Sequence, residues 1–174
     1  DSIAQYLKQL QDANVPVLWR PFHEMNGDWF WWCNRRGGNG FTVLWRMLYD
    51  RMTYYHQLNN LIWVWNPNNT RKHPVDDKMG YELYYPGEAF VDVLAADVYH
   101  REWFQDTHDQ LLELGKGKLL ALGEVGELPS AAQLANYNRY AWFMIWTTFT
   151  EDKYNTIDAL KEIFTDERVI NLER

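Results

Sequence analysis

Scarcity is the first information in this sequence. Cys33 is the one cysteine among 174 residues, which excludes an internal disulfide and leaves the redox compartment open. No apolar run in the chain approaches the ~18 residues of a membrane span. Positive charge is in deficit: 17 Lys and Arg against 24 Asp and Glu leave a net charge of −7. That balance argues against nucleic acid or an anionic membrane as partner. Phosphate-cradling glycine loops and the G-x-S-x-G elbow are missing. His23-Glu24 opens like H-E-x-x-H, but position 27 is Gly, and the other histidines show no paired ligand spacing. No metal, nucleotide or other cofactor is expected.

What the chain has in excess is aromatic surface: 10 Trp, 11 Tyr and 8 Phe, 17% of all residues. That is more than a small core needs, and it favours a cleft that stacks on flat ligands. The aromatics are densest in V-P-V-L-W-R-P-F-H-E-M-N-G-D-W-F-W-W, Val15 to Trp32. Val15–Trp19 reads as a buried strand with Pro16 near its start. Pro21 ends it, and Arg20, His23, Glu24, Asn26 and Asp28 follow as a polar cluster. A carboxylate and an imidazole at a strand's exit, under a wall of indoles, suggest a carbohydrate site. Sugars stack C–H faces on rings and need polar partners for their hydroxyls. A structural ion pair between Glu24 and Arg20 is the blander reading.

Further apolar runs predict strands at Leu61–Trp65, Phe90–Tyr99, Leu119–Leu122 and Trp142–Phe149. Helical spacing predicts a first helix capped by Ser2, with Ile3, Tyr6, Leu7 and Leu10 on its apolar face. Others are expected from Phe41 to about Leu58, over Glu102–Leu114, from the Ser130 cap to about Tyr137, and after the Thr156 cap. Asn34–Gly40 and Asn66–Lys78 read as loops. Tyr81–Tyr85 is a short helix or an irregular aromatic wall. Strands that alternate with helices and are apolar throughout predict a parallel sheet. Polar residues gather at the strand C-termini, where a (β/α)8 TIM barrel places its active site. Five strand–helix units of eight imply a partial barrel, one catalytic domain fragment over residues 1–174. The helical start without a leader reads as a truncation.

Glu24 and Glu124 leave the first and fourth of these strands. Strands three places apart face each other obliquely across a barrel mouth, so the two carboxylates can flank one bond. Glycoside hydrolysis needs such a pair. Glu127 reads as a solvated charge, and Asp92 is unassigned in mid-strand.

The order His23-Glu24-x-Asn26-Gly27-x-Trp29-Phe30-Trp31-Trp32 resembles the acid/base segment of glycoside hydrolase family 26, best known for endo-β-1,4-mannanases. Gly123-Glu124-Val125-Gly126 resembles that family's nucleophile segment. The resemblance implies strands four to eight of its barrel, a retaining mechanism, Glu24 as acid/base and Glu124 as nucleophile. It further implies substrate contacts from His23, Trp29, Asn66, Asp97, Tyr99 and Trp146, with Tyr99 touching the nucleophile. Trp142 is read as core. The implied partner is β-mannan or a related β-glycan, and the implied location is secreted or cell-surface. Thr147 and Thr148 stand where an Arg is expected after the floor tryptophan, and Cys33 where a glycine is usual. The same family contains β-1,3-1,4-glucanases and β-1,3-xylanases. Without its first three strands the chain is alternatively an inactive or carbohydrate-binding fragment, and its open strand edges invite self-association.

Overall fold

The computed structural model describes residues 1–35, 40–69, 80–103 and 105–171. Among them, five strands form one sheet: β1 Val17–Trp19, β2 Leu61–Trp65, β3 Val93–Val98, β4 Leu119–Val125 and β5 Tyr140–Ile145. They lie side by side in chain order and every pair is parallel, an open half-barrel. Helices α1 Ser2–Asp12, α2 Phe41–Asp50, α3 Gln105–Gly115, α4 Ala131–Asn136 and α5 Ile157–Thr165 intervene. The expected alternation is present, and both faces of the sheet carry apolar side chains. Leu94, Ala96 and Leu120 pack with Phe41, Trp45 and Leu111 in the main core, while Val64, Val93, Ala95 and Ala121 cluster separately. Two buried faces explain why the strands read as unbroken apolar runs.

Several boundaries differ from expectation, each for a local reason. The last strand begins at Tyr140 and ends at Ile145, after which Thr147–Thr150 coil into a 3-10 turn. The Thr150 hydroxyl donates to the Thr147 carbonyl, a side-chain bond that competes with a ladder. Trp142 therefore sits within β5, half-buried against the Val64–Ala121 cluster, as the core reading requires. The third strand is shorter than Phe90–Tyr99, because Glu88–Phe90 is a 3-10 turn and Asp92 precedes the strand, with Oδ2 accepting the Trp63 N–H at 2.8 Å. The long helix from Phe41 yields at Arg51–Tyr55 to a wider π turn. Ser130 and Thr156 cap α4 and α5 with their side chains. At α1, Asp1 rather than Ser2 takes the cap position, and Ala4 and Leu7 are buried while Ile3, Tyr6 and Leu10 are exposed. Of the two expected loops, residues 36–39 and 70–78 lie outside the described residues.

The site is shaped where β3 meets β4. Their register shifts between Ala96 and Asp97, which sets Asp97 opposite Glu124. Gly123 then has to be a glycine, because a Cβ there would run into the side chains of Asn66 and Asp97. Gly123→Ala should cost about 1–3 kcal/mol, the usual range for overpacking. Urea unfolding measures it, and a variant as stable as the parent would show that Asn66 has room to move.

Candidate active site

Consecutive strand ends deliver the polar cluster. Arg20 follows β1, Asn66 follows β2, Asp97 lies near the end of β3, and Glu124 near the end of β4. Glu24 reaches the same place from the loop after β1. Its backbone is held in the left-handed region, φ 55°, where its N–H donates to the Asn66 carbonyl at 2.7 Å. A non-glycine residue in that conformation needs its surroundings to fix it. Here the aromatic run does so: the Trp32 indole N–H donates to the His23 carbonyl at 2.8 Å, and the Cys33 thiol to the Glu24 carbonyl at 3.1 Å. Asn26 completes the frame, exchanging two 2.8 Å hydrogen bonds with the backbone of Asn68.

At the centre, one oxygen from each of Glu24, Asp97 and Glu124 lies within 4.8 Å of the others. Such a cluster could hold a cation, but Arg20 already supplies positive charge to it. Arg20 Nη2 donates to Glu124 Oε1 at 2.7 Å, and Nη1 to Asn66 Oδ1 at 3.1 Å and to Asp97 at 3.4 and 3.5 Å. The Tyr99 hydroxyl donates to Glu124 Oε2 at 2.6 Å. Both oxygens of Glu124 thus accept from strong donors. Glu24 is different: burial pushes its carboxyl above the usual range, opposed by the 2.6 Å bond that Trp29 Nε1 donates to Oε2. Burial raises Asp97 well above its ordinary value as well, reinforced by Glu124 and opposed by Arg20. His23 is pushed down, by burial and then by the Arg20 charge. Tyr99 is raised by burial and its bond to Glu124, so it stays a donor.

The aromatic rings divide into support and surface. Trp32 stacks on Phe30 with centroids 4.5 Å apart, and His23 lies 4.9 Å from Phe30. Trp29 and Trp146 are 47% and 46% exposed, which leaves each ring free to meet a ligand. Trp29 can fold back over Gly27 because a Cβ at that position would strike its indole.

The model of glycosyl hydrolase family 26 matches residues 1–174. The chain belongs to glycosyl hydrolase family 26. A mannan endo-1,4-β-mannosidase of Thermothelomyces thermophilus is 39% identical over 99% of this chain and 34% of its own length. The solved GH26A structure from a Muricauda species superposes with a TM-score of 0.91 at 49% identity, covering 97% of this chain and 55% of that one. A Podospora anserina GH26-CBM35 β-(1,4)-mannanase gives 0.82 at 38% identity, covering 99% and 37%. The chain thus spans about a third of the curated relative's length. Five parallel strands of a family 26 barrel are what these matches support.

Measured against the sequence, the site gathers Glu24, Glu124, His23, Trp29, Asn66, Asp97 and Tyr99, and puts Trp146 at the same strand ends, one residue past β5. Asn66 and Asp97 have no exposed surface, so their place is beneath the mouth against Arg20 rather than in contact with a ligand. Trp29, which covers part of the loop, also hydrogen-bonds to Glu24. Arg20 pairs with Glu124 and Asp97 instead of Glu24. Its role went unread because its partners lie 77 and 104 residues away. Glu127 is half-buried with Oε2 shielded, rather than solvated, since Asn155 ties down its loop at Gly126 and Leu128.

The raised carboxyls of Glu24 and Asp97 have a consequence for stability. Above the unfolded values, about 4 for both residue types, the native chain holds protons that the unfolded chain has lost. These two groups therefore stabilise fully below that pH, and their contribution is lost as pH rises through their folded values. Asp97→Asn should have a melting midpoint that falls less than the parent's between about pH 5 and pH 8. Equal slopes would show that Asp97 is ionised throughout.

Proposed function

We propose that this chain carries the catalytic pair of a retaining endo-β-1,4-mannanase, with Glu24 as acid/base and Glu124 as nucleophile. The observation that carries the reading is the pair itself. Two carboxyls come within 4.8 Å, one pushed toward its protonated form and the other bonded by donors that suit an anion. Retaining glycosidases separate their carboxyls by about 5–5.5 Å, whereas inverting ones leave about 6.5–9.5 Å for a water.

In the first step Glu24 gives its proton to the leaving glycosidic oxygen while a Glu124 oxygen attacks the anomeric carbon. Arg20 and Tyr99 each hold one oxygen of Glu124, so the bond on the attacking oxygen loosens as the ester forms. In the second step the Glu24 carboxylate takes a proton from water, whose oxygen displaces Glu124 and restores the starting configuration. The indole N–H of Trp29 favours the ionised form that Glu24 needs as a base. Trp29 and Trp146 offer faces for sugar stacking, and His23 is held near neutral as a hydrogen-bonding partner.

Mannan as the substrate is carried over from what the relatives are called. A polysaccharide does not cross a membrane, so the enzyme would act where the polymer is, secreted or at the cell surface. Among the described residues no helix is long and apolar enough to cross a membrane. The sheet ends at β1 and β5, and Leu18 of β1 is exposed, as are Ile3 and Tyr6 of α1. Such edges favour association with further strands or a second copy, which light scattering measures.

In the complete enzyme, Glu124→Ala should abolish hydrolysis of mannan and of activated aryl mannosides alike. Glu24→Ala should lose about 10²–10⁴-fold on mannan, yet keep much of its rate on aryl mannosides, whose leaving groups need no proton. Activity of Glu124→Ala comparable to the parent's on either substrate would end the assignment. Release of reducing sugar from mannan, barley glucan and β-1,3-xylan in parallel decides the substrate. Trp29→Phe removes a bond that holds the Glu24 carboxyl down, so the alkaline limb of kcat/KM should move to higher pH. A limb that stays put would mean that Glu24 is not the group titrating there.

A further inference from the structure

Three carboxyl groups crowd one end of this sheet, and one guanidinium faces two of them. Glu24, Asp97 and Glu124 place an oxygen each within 4.8 Å of one another. Among the described residues, the ion pairs to Asp97 and Glu124 come from Arg20. The remaining titratable groups facing this cluster are His23, which burial holds toward its neutral form, and Tyr99, whose hydroxyl is occupied by Glu124. Arg20 is 26% exposed at the side chain, while its partners Asp97 and Glu124 are buried. Pro21 follows it and biases its backbone to the extended region, which fixes the direction from which the side chain enters.

We propose that Arg20 is a positioning residue of the reaction described above, setting both the place and the charge of the nucleophile. This rests on Glu124 being that nucleophile. The guanidinium is a planar fork that cannot lose its proton, so its two ends hold a fixed separation. Nη2 grips Glu124, and Nη1 is tied to Asn66 and Asp97. The second grip matters in the glycosyl-enzyme. Glu124 is then a neutral ester with less hold on a cation, but Asn66 and Asp97 still anchor Arg20. The fork stays in place, and the carboxylate released in the second step returns to its starting position. Gly123 makes this anchorage possible by leaving room for Asn66 and Asp97 beside it.

The test compares Arg20→Ala and Arg20→Lys with the parent in the complete enzyme. Removing the cation makes neighbouring carboxylates harder to ionise, so in Arg20→Ala the acid limb of kcat/KM should move up by about 1 pH unit or more. Its kcat should fall about 10²-fold, the scale expected when a reacting group is misplaced, with KM changed far less. Arg20→Lys keeps the charge without the fork, so its acid limb should stay near the parent's while kcat still falls. Added guanidinium should restore part of the Arg20→Ala rate, and an equal concentration of ammonium should not. A folded Arg20→Ala enzyme with the parent's acid limb and kcat would overturn the proposal. Should that variant fail to fold, an Arg20→Lys enzyme with unchanged kcat overturns it equally. If the parent itself does not cleave mannan, the proposed function fails, and carboxyl ¹³C NMR still reads Arg20. The cluster's titration midpoints should rise in Arg20→Ala and stay near the parent's in Arg20→Lys, and Arg20→Ala midpoints identical to the parent's would count against the role.

Discussion

Like charges brought together at the end of a parallel sheet set the terms for this molecule. Glu24, Asp97 and Glu124 share a space in which any pair of anions repels, and burial pushes the carboxyls of Glu24 and Asp97 upward. The surroundings answer with a different partner for each carboxyl. Glu124 takes Arg20 and Tyr99, Glu24 takes the Trp29 indole, and Asp97 lies buried against Arg20. The outcome is an asymmetric pair at the mouth, with one carboxyl pushed toward its acid form and the other held at both oxygens by donors. Environments that separate two carboxyl groups in this way are what acid–base chemistry at a single bond requires.

The scaffold serves that asymmetry through close approaches. Gly123 lets Asn66 and Asp97 fill the space behind Glu124, and Gly27 lets an indole fold back toward Glu24. The backbone of Glu24 is held by donors from Trp32 and Cys33, residues that read as aromatic wall and as family oddity. Much of the tryptophan-rich stretch is therefore there to shape the loop. Trp29 and Trp146 keep about half their surface free.

What could be read from the sequence followed the range of the signal. Glu24 and Glu124 were legible because each sits in an ordered local motif at the end of an apolar run. The alternation of strands and helices was legible because both faces of the sheet are covered. Strand ends were harder, since Phe149 continues the apolar pattern of β5 after the backbone has coiled into the turn Thr147–Thr150. The exposure of Ile3, Tyr6 and Leu10 on α1 was not legible, because periodicity says which residues share a side, not whether anything covers it. The alternative pairing of Arg20 with the nearby Glu24 is not what the fold makes: Arg20 pairs with a glutamate 104 residues away. Membership of family 26 gives the site its context, and the chain spans about a third of the curated mannan endo-1,4-β-mannosidase it matches.

The central claim is that Glu124 forms a bond to the sugar while Glu24 serves the leaving group. Incubating the complete enzyme with a 2-deoxy-2-fluoro-mannosyl fluoride, followed by peptic digestion and mass spectrometry, tests it most directly. The account predicts one sugar per active chain, attached to the peptide at Glu124. A label on another residue, or an enzyme that cleaves mannan yet inverts the anomeric configuration, would contradict it.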